Sequence, residues 1–321
     1  NILSNYLLKN SNKIIIWGFL LLVQQTFASN SSIIIKTRSN IILNSGGGSF
    51  WHRVNKMGAF SNKQLLSFSS FSESKSSFGY RFTSIFYPSD IKYTYLQIGF
   101  LYKQINGYEL KIGRWKQEIT SESKLSTGSL VRGNNATPIP QISITIPEYK
   151  KYKIFSNEIW IKGGFTHGWF TKGEYIRAPY LHEKYLYIKK NINESSEISL
   201  GLVHEAIWGG KTSLHGSQPK SFNDYLRVIF ARRASNSGSL GDQVNVLGNH
   251  LGIWDLAYSK NSLKRKIKFY YQHPFEDKSG AFQYFFDELK RRKLTSKSFD
   301  GLFGIEIKNN ISSPVNIFLY E

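Results

Sequence analysis

The feature that most constrains this chain is a period of two. In residues 108–115, Tyr108, Leu110 and Ile112 fall on one side, while Glu109, Lys111 and Gly113 fall on the other. In residues 92–102, Leu96, Ile98, Phe100 and Tyr102 share a face. Successive side chains on a strand point to opposite sides, so each run predicts a strand with one apolar and one mixed face. The alternation returns at 158–169, 184–190, 197–205, 223–232, 251–258, 265–273, 302–308 and 315–320. Turn residues separate the runs: Asn106-Gly107, Lys172-Gly173, residues 191–196, residues 235–241 and Lys260-Asn261-Ser262. The count reaches about a dozen strands of roughly 8–12 residues, the length a tilted strand needs to cross a bilayer.

Two stretches break the pattern. Residues 128–148 hold Gly128, Gly133, Pro138, Pro140 and Pro147, and predict a long ordered loop. Residues 275–299 mix acidic, aromatic and basic groups, and 282–294 predict a short helix in a surface loop.

Composition separates the membrane classes. No run after the first thirty residues is long and apolar enough for a transmembrane helix, yet 40% of the chain is hydrophobic and 15% aromatic. A strand-built membrane wall fits both facts, because only alternate residues face lipid. The fold expected is therefore all-β: an antiparallel transmembrane outer-membrane β-barrel. Lys9 and Lys13 precede an apolar run over 14–23, which leads to Phe27-Ala28-Ser29. A basic start, a core of about ten apolar residues and a small exit residue predict a secretory signal peptide over 1–28. An entry segment over 29–60 and the barrel over 61–321 complete the expected division.

The chain has no cysteine, which excludes disulfide frameworks, thiolate metal sites and a Cys nucleophile. Its formal charge of +20 suits an anionic lipid surface or an acidic polysaccharide. Nucleic acid is not the expected partner, since Lys and Arg are spread through alternating segments, with clusters at 150–153, 264–268 and 290–293 that read as solvated loops.

Polar and aromatic groups gather beside glycines at Thr166-His167-Gly168-Trp169-Phe170, Leu181-His182-Glu183-Lys184 and His204-Glu205-Ala206-Ile207-Trp208-Gly209-Gly210. They do so again around Asp242, Asn245, Asn249 and His250. No catalytic signature emerges: His204-Glu205 lacks the second His of a zinc protease helix, and neither G-x-S-x-G nor a P-loop occurs. Glu205, Asp224, Asp242 and Asp255 are the carboxylates available for glycoside hydrolysis. The plainer expectation is that these groups bond one another inside a polar lumen.

Several blocks together resemble the Wzi-type capsule assembly family, as found in Bacteroidetes. They are Gly128-Ser129-Leu130, residues 133–140, Ile146-Pro147-Glu148-Tyr149 and the His167 and His182 blocks. They continue through Trp208-Gly209-Gly210, Phe222-Asn223-Asp224-Tyr225-Leu226-Arg227-Val228, residues 241–252, residues 271–280 and residues 300–306. Phe50-Trp51-His52 and Gly58 resemble the family's entry segment.

The resemblance implies a large outer-membrane barrel that holds capsular polysaccharide at the cell surface as a lectin rather than an enzyme; no metal or cofactor is expected. It also implies a chain extending beyond Glu321, with this sequence as its N-terminal and middle portion. On that reading Trp169, Trp208 and Trp254 are candidate sugar platforms, and Asn245, Asn249, His250 and Arg227 candidate polar contacts. Arg227 lies opposite Leu226, Val228 and Phe230, so a strand there would point it into the lumen, either toward an acidic glycan or into an ion pair with Asp224 or another strand's carboxylate. The tryptophans are equally suited to anchor the membrane interface. The expected partners are capsular polysaccharide, acidic if the charge is meaningful, and outer-membrane lipid, with the protein a monomer. A diffusion porin and an outer-membrane hydrolase are the competing classes.

Overall fold

A computed structural model of the chain describes residues 34–42, 57–59, 65–73, 77–86, 95–276 (except 127, 155, 172, 174 and 237), 300–310 and 316–321. The expected signal peptide and the expected helix over 282–294 lie outside these residues. Thirteen strands form one antiparallel meander. In chain order they are β1 (Ile34–Ile42), β2 (Leu65–Glu73), β3 (Phe78–Phe86), β4 (Tyr95–Ile105), β5 (Tyr108–Arg114), β6 (Pro140–Ile154), β7 (Asn157–Trp169), β8 (Tyr180–Asn193) and β9 (Ser196–Trp208). The sheet then passes over a two-residue hairpin, β10 (Lys211–Thr212) and β11 (Gly216–Ser217), and continues with β12 (Asn249–Asn261), β13 (Arg265–Phe275), β14 (Leu302–Asn309) and β15 (Ile317–Tyr320). Among the described residues no ladder joins β1 to β15, and no described helix is long and apolar enough to cross a membrane.

Alternation sorts the wall into two faces. Ile161, Ile188, Leu200, Leu256, Tyr271 and Phe303 lie side by side across six strands. Exposed Leu101, Ile112 and Ile142 form a similar row on β4–β6. An apolar surface this continuous needs lipid against it. On the other face Lys162, Tyr187, Gly201, Asp255 and Gln272 form the matching inner row.

Tyrosines lie over glycines of the neighbouring strand along that inner face. Tyr102 faces Gly79, Tyr185 faces Gly164, Tyr187 faces Gly201 and Tyr270 faces Gly304. A methyl group at Gly201 would lie 2.1 Å from the Tyr187 ring, so the ring occupies the space that any side chain would take.

Two expectations fail here for identifiable reasons. Residues 128–148 are not all loop: β6 starts at Pro140, and Pro147 sits where the β6–β7 register shifts between Ile146 and Lys150. The first residue of a strand and a bulge are the two places where a strand accepts proline. Residues 223–232 are not a strand. They begin with helix α1 (Phe222–Ile229), opened by Ser221 and Asp224 in a reciprocal capping box and closed by Ala231 at φ 48. The Ser-x-x-Asp start and the spacing of Phe222, Leu226 and Phe230 at four residues were the overlooked helical signals. A second helix, α2 (Leu240–Val244), follows with Ser239 as its cap.

Connection length differs between the two rims. The β4–β5, β6–β7, β8–β9 and β12–β13 links are short, and Asn106 and Gly107, with φ of 53 and 82, make the tight turn expected of Asn-Gly. The β5–β6, β7–β8, β9–β12 and β13–β14 links are long and leave the opposite rim. Barrels place short turns in the periplasm and long loops outside.

Candidate functional site

The β5–β6 link, residues 115–139, folds against the inner face and is bonded to strands across it. Gln117 donates to Thr166 on β7 and to Glu183 on β8, both at 3.2 Å. The Ser121 amide donates to Asp255 on β12 at 2.7 Å, and the Ser121 hydroxyl donates to the same carboxylate. Tyr187 also donates to Asp255, at 2.7 Å. Ser123 donates to Glu306 on β14. Gln272 on β13 accepts from the Leu130 amide at 3.1 Å and donates to Glu122 at 2.9 Å. From the wall, Gln141 donates to the Trp115 carbonyl and Lys162 to the Ile119 carbonyl, each at 2.8 Å.

Arg132 is the centre of this plug. One of its terminal nitrogens lies 2.8 Å from Glu183 and 3.0 Å from Glu205, which are register partners on β8 and β9. Burial alone would lower the pKa of the guanidinium, but the two carboxylates outweigh it and hold the value above the ordinary one. A fully buried Glu183 without this cation would be an uncompensated charge.

Between plug and wall lies a cavity of about 530 Å³ with Arg81, Lys111, Lys116 and Lys124 on its lining against Glu109 and Glu118. The Lys111 ammonium sits 4.1 Å from the Phe100 ring centre and 4.8 Å from that of Trp115, both also on the lining. The motif continues toward the short-turn rim: Lys162 lies 4.6 Å from Tyr187, Lys189 4.8 Å from Tyr149 and Lys268 5.5 Å from Tyr270. A cation over a ring is held in place by the ring's quadrupole while its outer hydrogens stay free to donate.

The histidine motifs split across the wall. Thr166, Glu183 and Glu205 point in, as expected of a polar lumen. Their immediate neighbours His167, His182 and His204 point out, because adjacent residues on a strand must face opposite ways. On the outside they meet α1. Tyr225 stacks on Trp208 at 5.1 Å and 14° and meets His167 and His182 edge-on, while Val228, fully buried, joins Ala206, Trp208 and Leu247 in one apolar cluster. Burial pushes the Tyr225 phenol up to about 12. His204 and His250 share a hydrogen bond of 2.8 Å, and the second His250 nitrogen bonds the Leu247 carbonyl at 2.9 Å. Lys184 donates to the Ile229 carbonyl at the end of α1.

The seven residues singled out from sequence therefore do not form one lumenal site. Trp208 and His250 are buried beneath the 209–248 link, and Arg227 lies on α1, donating to the Arg233 carbonyl at 3.0 Å. Trp254 is beside Leu202 on the lipid face. Trp169 is exposed at the end of β7, Asn245 closes α2, and Asn249 opens β12. The carboxylates proposed for hydrolysis are separately engaged: Glu205 with Arg132, Asp255 with Ser121 and Tyr187, Asp224 and Asp242 in helix caps. Sequence reasoning missed Arg132 and Gln117. The available signal was Glu183 and Glu205 on inward positions of predicted strands, which demand a cation from elsewhere in the chain.

Fold and plug define the wall of a bacterial outer-membrane β-barrel with one of its own loops folded against the inner face. The sequence model of the capsule assembly protein Wzi matches residues 26–307, and the chain belongs to that family. No curated protein matches the sequence. Among solved structures the fold is similar to Wzi, an outer-membrane protein involved in group 1 capsule assembly in Escherichia coli and a carbohydrate-binding β-barrel. The match has 14% identity, covers 90% of this chain and 55% of that one, and has a TM-score of 0.51. The chain thus spans little more than half the length of that barrel. A porin (9% identity, 88% of this chain and 90% of that one, TM-score 0.27) and a loop-deleted OmpT of Vibrio cholerae (8%, 75% and 91%, 0.19) also match.

Proposed function

We propose that this protein binds capsular polysaccharide at the outer membrane, without catalysis, and holds it at the cell surface as a monomer embedded in lipid. The observation that carries the reading is the cavity beside the plug, where Arg81, Lys111, Lys116 and Lys124 outnumber the acids and Phe100 and Trp115 offer ring faces. Cations suit the carboxylates or phosphates of an acidic glycan, and flat rings suit sugar faces. Family membership supports the same reading. Trp169, Asn245 and Asn249, on the long-loop side, stay in the proposal as outer contacts. Trp208, Arg227, His250 and Trp254 leave it, because each is used in packing or faces away from the lumen.

A hydrolase would need a carboxylate free to exchange protons with substrate, and the four carboxylates considered are tied into the fold. A porin would need an open path past residues 115–139. The test is binding of the purified full-length protein to the organism's own capsule and to an unrelated neutral glycan. Affinity for the capsule should fall roughly tenfold in Arg81→Gln/Lys111→Gln, as expected for removing two charge-assisted contacts. Equal binding of the neutral glycan, unchanged binding by the variant, or steady single-channel conductance in a planar bilayer would each overturn the reading.

A further inference from the structure

The outward-folded 209–248 link has a second face that the wall does not use. Phe222 and Leu226 on α1 and Phe230 at its C-cap recur every four residues and are exposed, with Phe222 and Phe230 at 72% and 63% of their surface. They share the side of α1 away from Val228, which is packed on the wall. Lys220, Arg232 and Arg233 are exposed around this stripe, and the Arg232 guanidinium lies 5.5 Å over the Phe230 ring. The link carries five Lys and Arg residues (211, 220, 227, 232 and 233) against two acids, Asp224 and Asp242, and both acids are consumed as helix caps.

Position adds the second argument. The outer residues of β9 run Ile198, Leu200, Leu202, then His204, Ala206 and Trp208 toward the long-loop rim, and α1 covers the last of these. The helix therefore begins where the lipid-facing band ends, at the level of lipid headgroups. An amphipathic helix with Phe and Leu on one side and arginines beside them lies in that plane with its apolar face in the acyl region and its cations on the phosphates.

We propose that α1 and the following Arg232-Arg233 pair form a docking surface for phosphate-bearing lipid of the outer leaflet. The apolar stripe continues the lipid-facing wall, and the basic rim complements the anionic headgroups. The occupant is a lipid rather than a soluble anion, because the cations flank exposed apolar side chains.

The experiment uses the full-length protein in mixed micelles containing lipid A and phosphatidylcholine, with retained lipid counted by native mass spectrometry. Wild-type protein should retain lipid A in preference to phosphatidylcholine. Arg232→Gln/Arg233→Gln should lose about fivefold in lipid A retention per guanidinium removed. Phe222→Ser/Phe230→Ser should lose retention of both lipids. Heat-modifiable migration and capsule binding should stay at wild-type levels in both variants, so failure here is distinct from failure of the glycan reading. Undiminished lipid A retention in the arginine variant, equal retention of the two lipids by wild type, or displacement of lipid A by inorganic phosphate would overturn the proposal.

Discussion

Two long links leave the same rim of the sheet and fold in opposite directions. Residues 115–139 turn into the lumen and residues 209–248 turn back over the outer wall. The inner link brings Gln117, Ser121, Ser123 and Arg132 to carboxylates on β8, β9, β12 and β14, and Gln117 also to the Thr166 hydroxyl on β7. The outer link satisfies its own acids in helix caps and presents Tyr225, Val228 and Leu247 to an apolar seat. In the seat, both His182 nitrogens and the Trp208 indole nitrogen have no hydrogen-bond partner among the described residues. The plug is thus held by many directed polar bonds, and the outer helix mainly by packing, with the bond from Lys184 to the Ile229 carbonyl at its end. A wall face that carries buried carboxylates recruits a cationic loop, and a face that carries rings recruits an amphipathic one.

The largest expected effect tests the inner half of this comparison. Arg132→Met leaves Glu183 and Glu205 facing each other without a cation, a loss of about 3–5 kcal/mol for breaking a buried charge network. The unfolding temperature should drop sharply, and adding Glu183→Gln and Glu205→Gln should restore most of it. If the single variant melts like wild type, Arg132 is not what holds the plug.

On the outer side, Tyr225→Ala should cost about 2–3 kcal/mol, at or below the low end for truncating a buried aromatic because the ring is half-buried. The loss should be local: limited proteolysis should cut within 209–248 while the barrel keeps its heat-modifiable migration. Loss of the barrel itself would contradict the separation between the two links. The smallest effect is expected from Ser221→Ala, which removes the α1 cap at about 1 kcal/mol. It should raise protease sensitivity at the same bonds, less than Tyr225→Ala does, and leave glycan binding unchanged.

Much of the wall was legible in advance, because the two-residue period that marks Tyr108, Leu110 and Ile112 is a property of extended backbone. The β6 strand was hidden by Pro140 and Pro147, whose positions at a strand start and a bulge are visible only once the register is known. Helix α1 was hidden by overlap, since Leu226, Val228 and Phe230 alternate as well as they wind. Its Ser221-Asp224 capping box was the sharper local signal. The site was less legible than the fold. His182-Glu183 and His204-Glu205 read as polar clusters, and nothing local says that each pair divides between lumen and outer seat.

The sequence by itself determined a membrane wall of alternating strands and the family to which it belongs, because periodicity and ordered motifs survive without knowing any contact. Only the tertiary structure decided which way each long link folds. That choice depends on Arg132 meeting Glu183 and Glu205, which are 51 and 73 residues away, and on Tyr225 meeting Trp208 across the outer face. Such meetings are set by strand register and by which face each side chain occupies, and no local pattern in the chain encodes them.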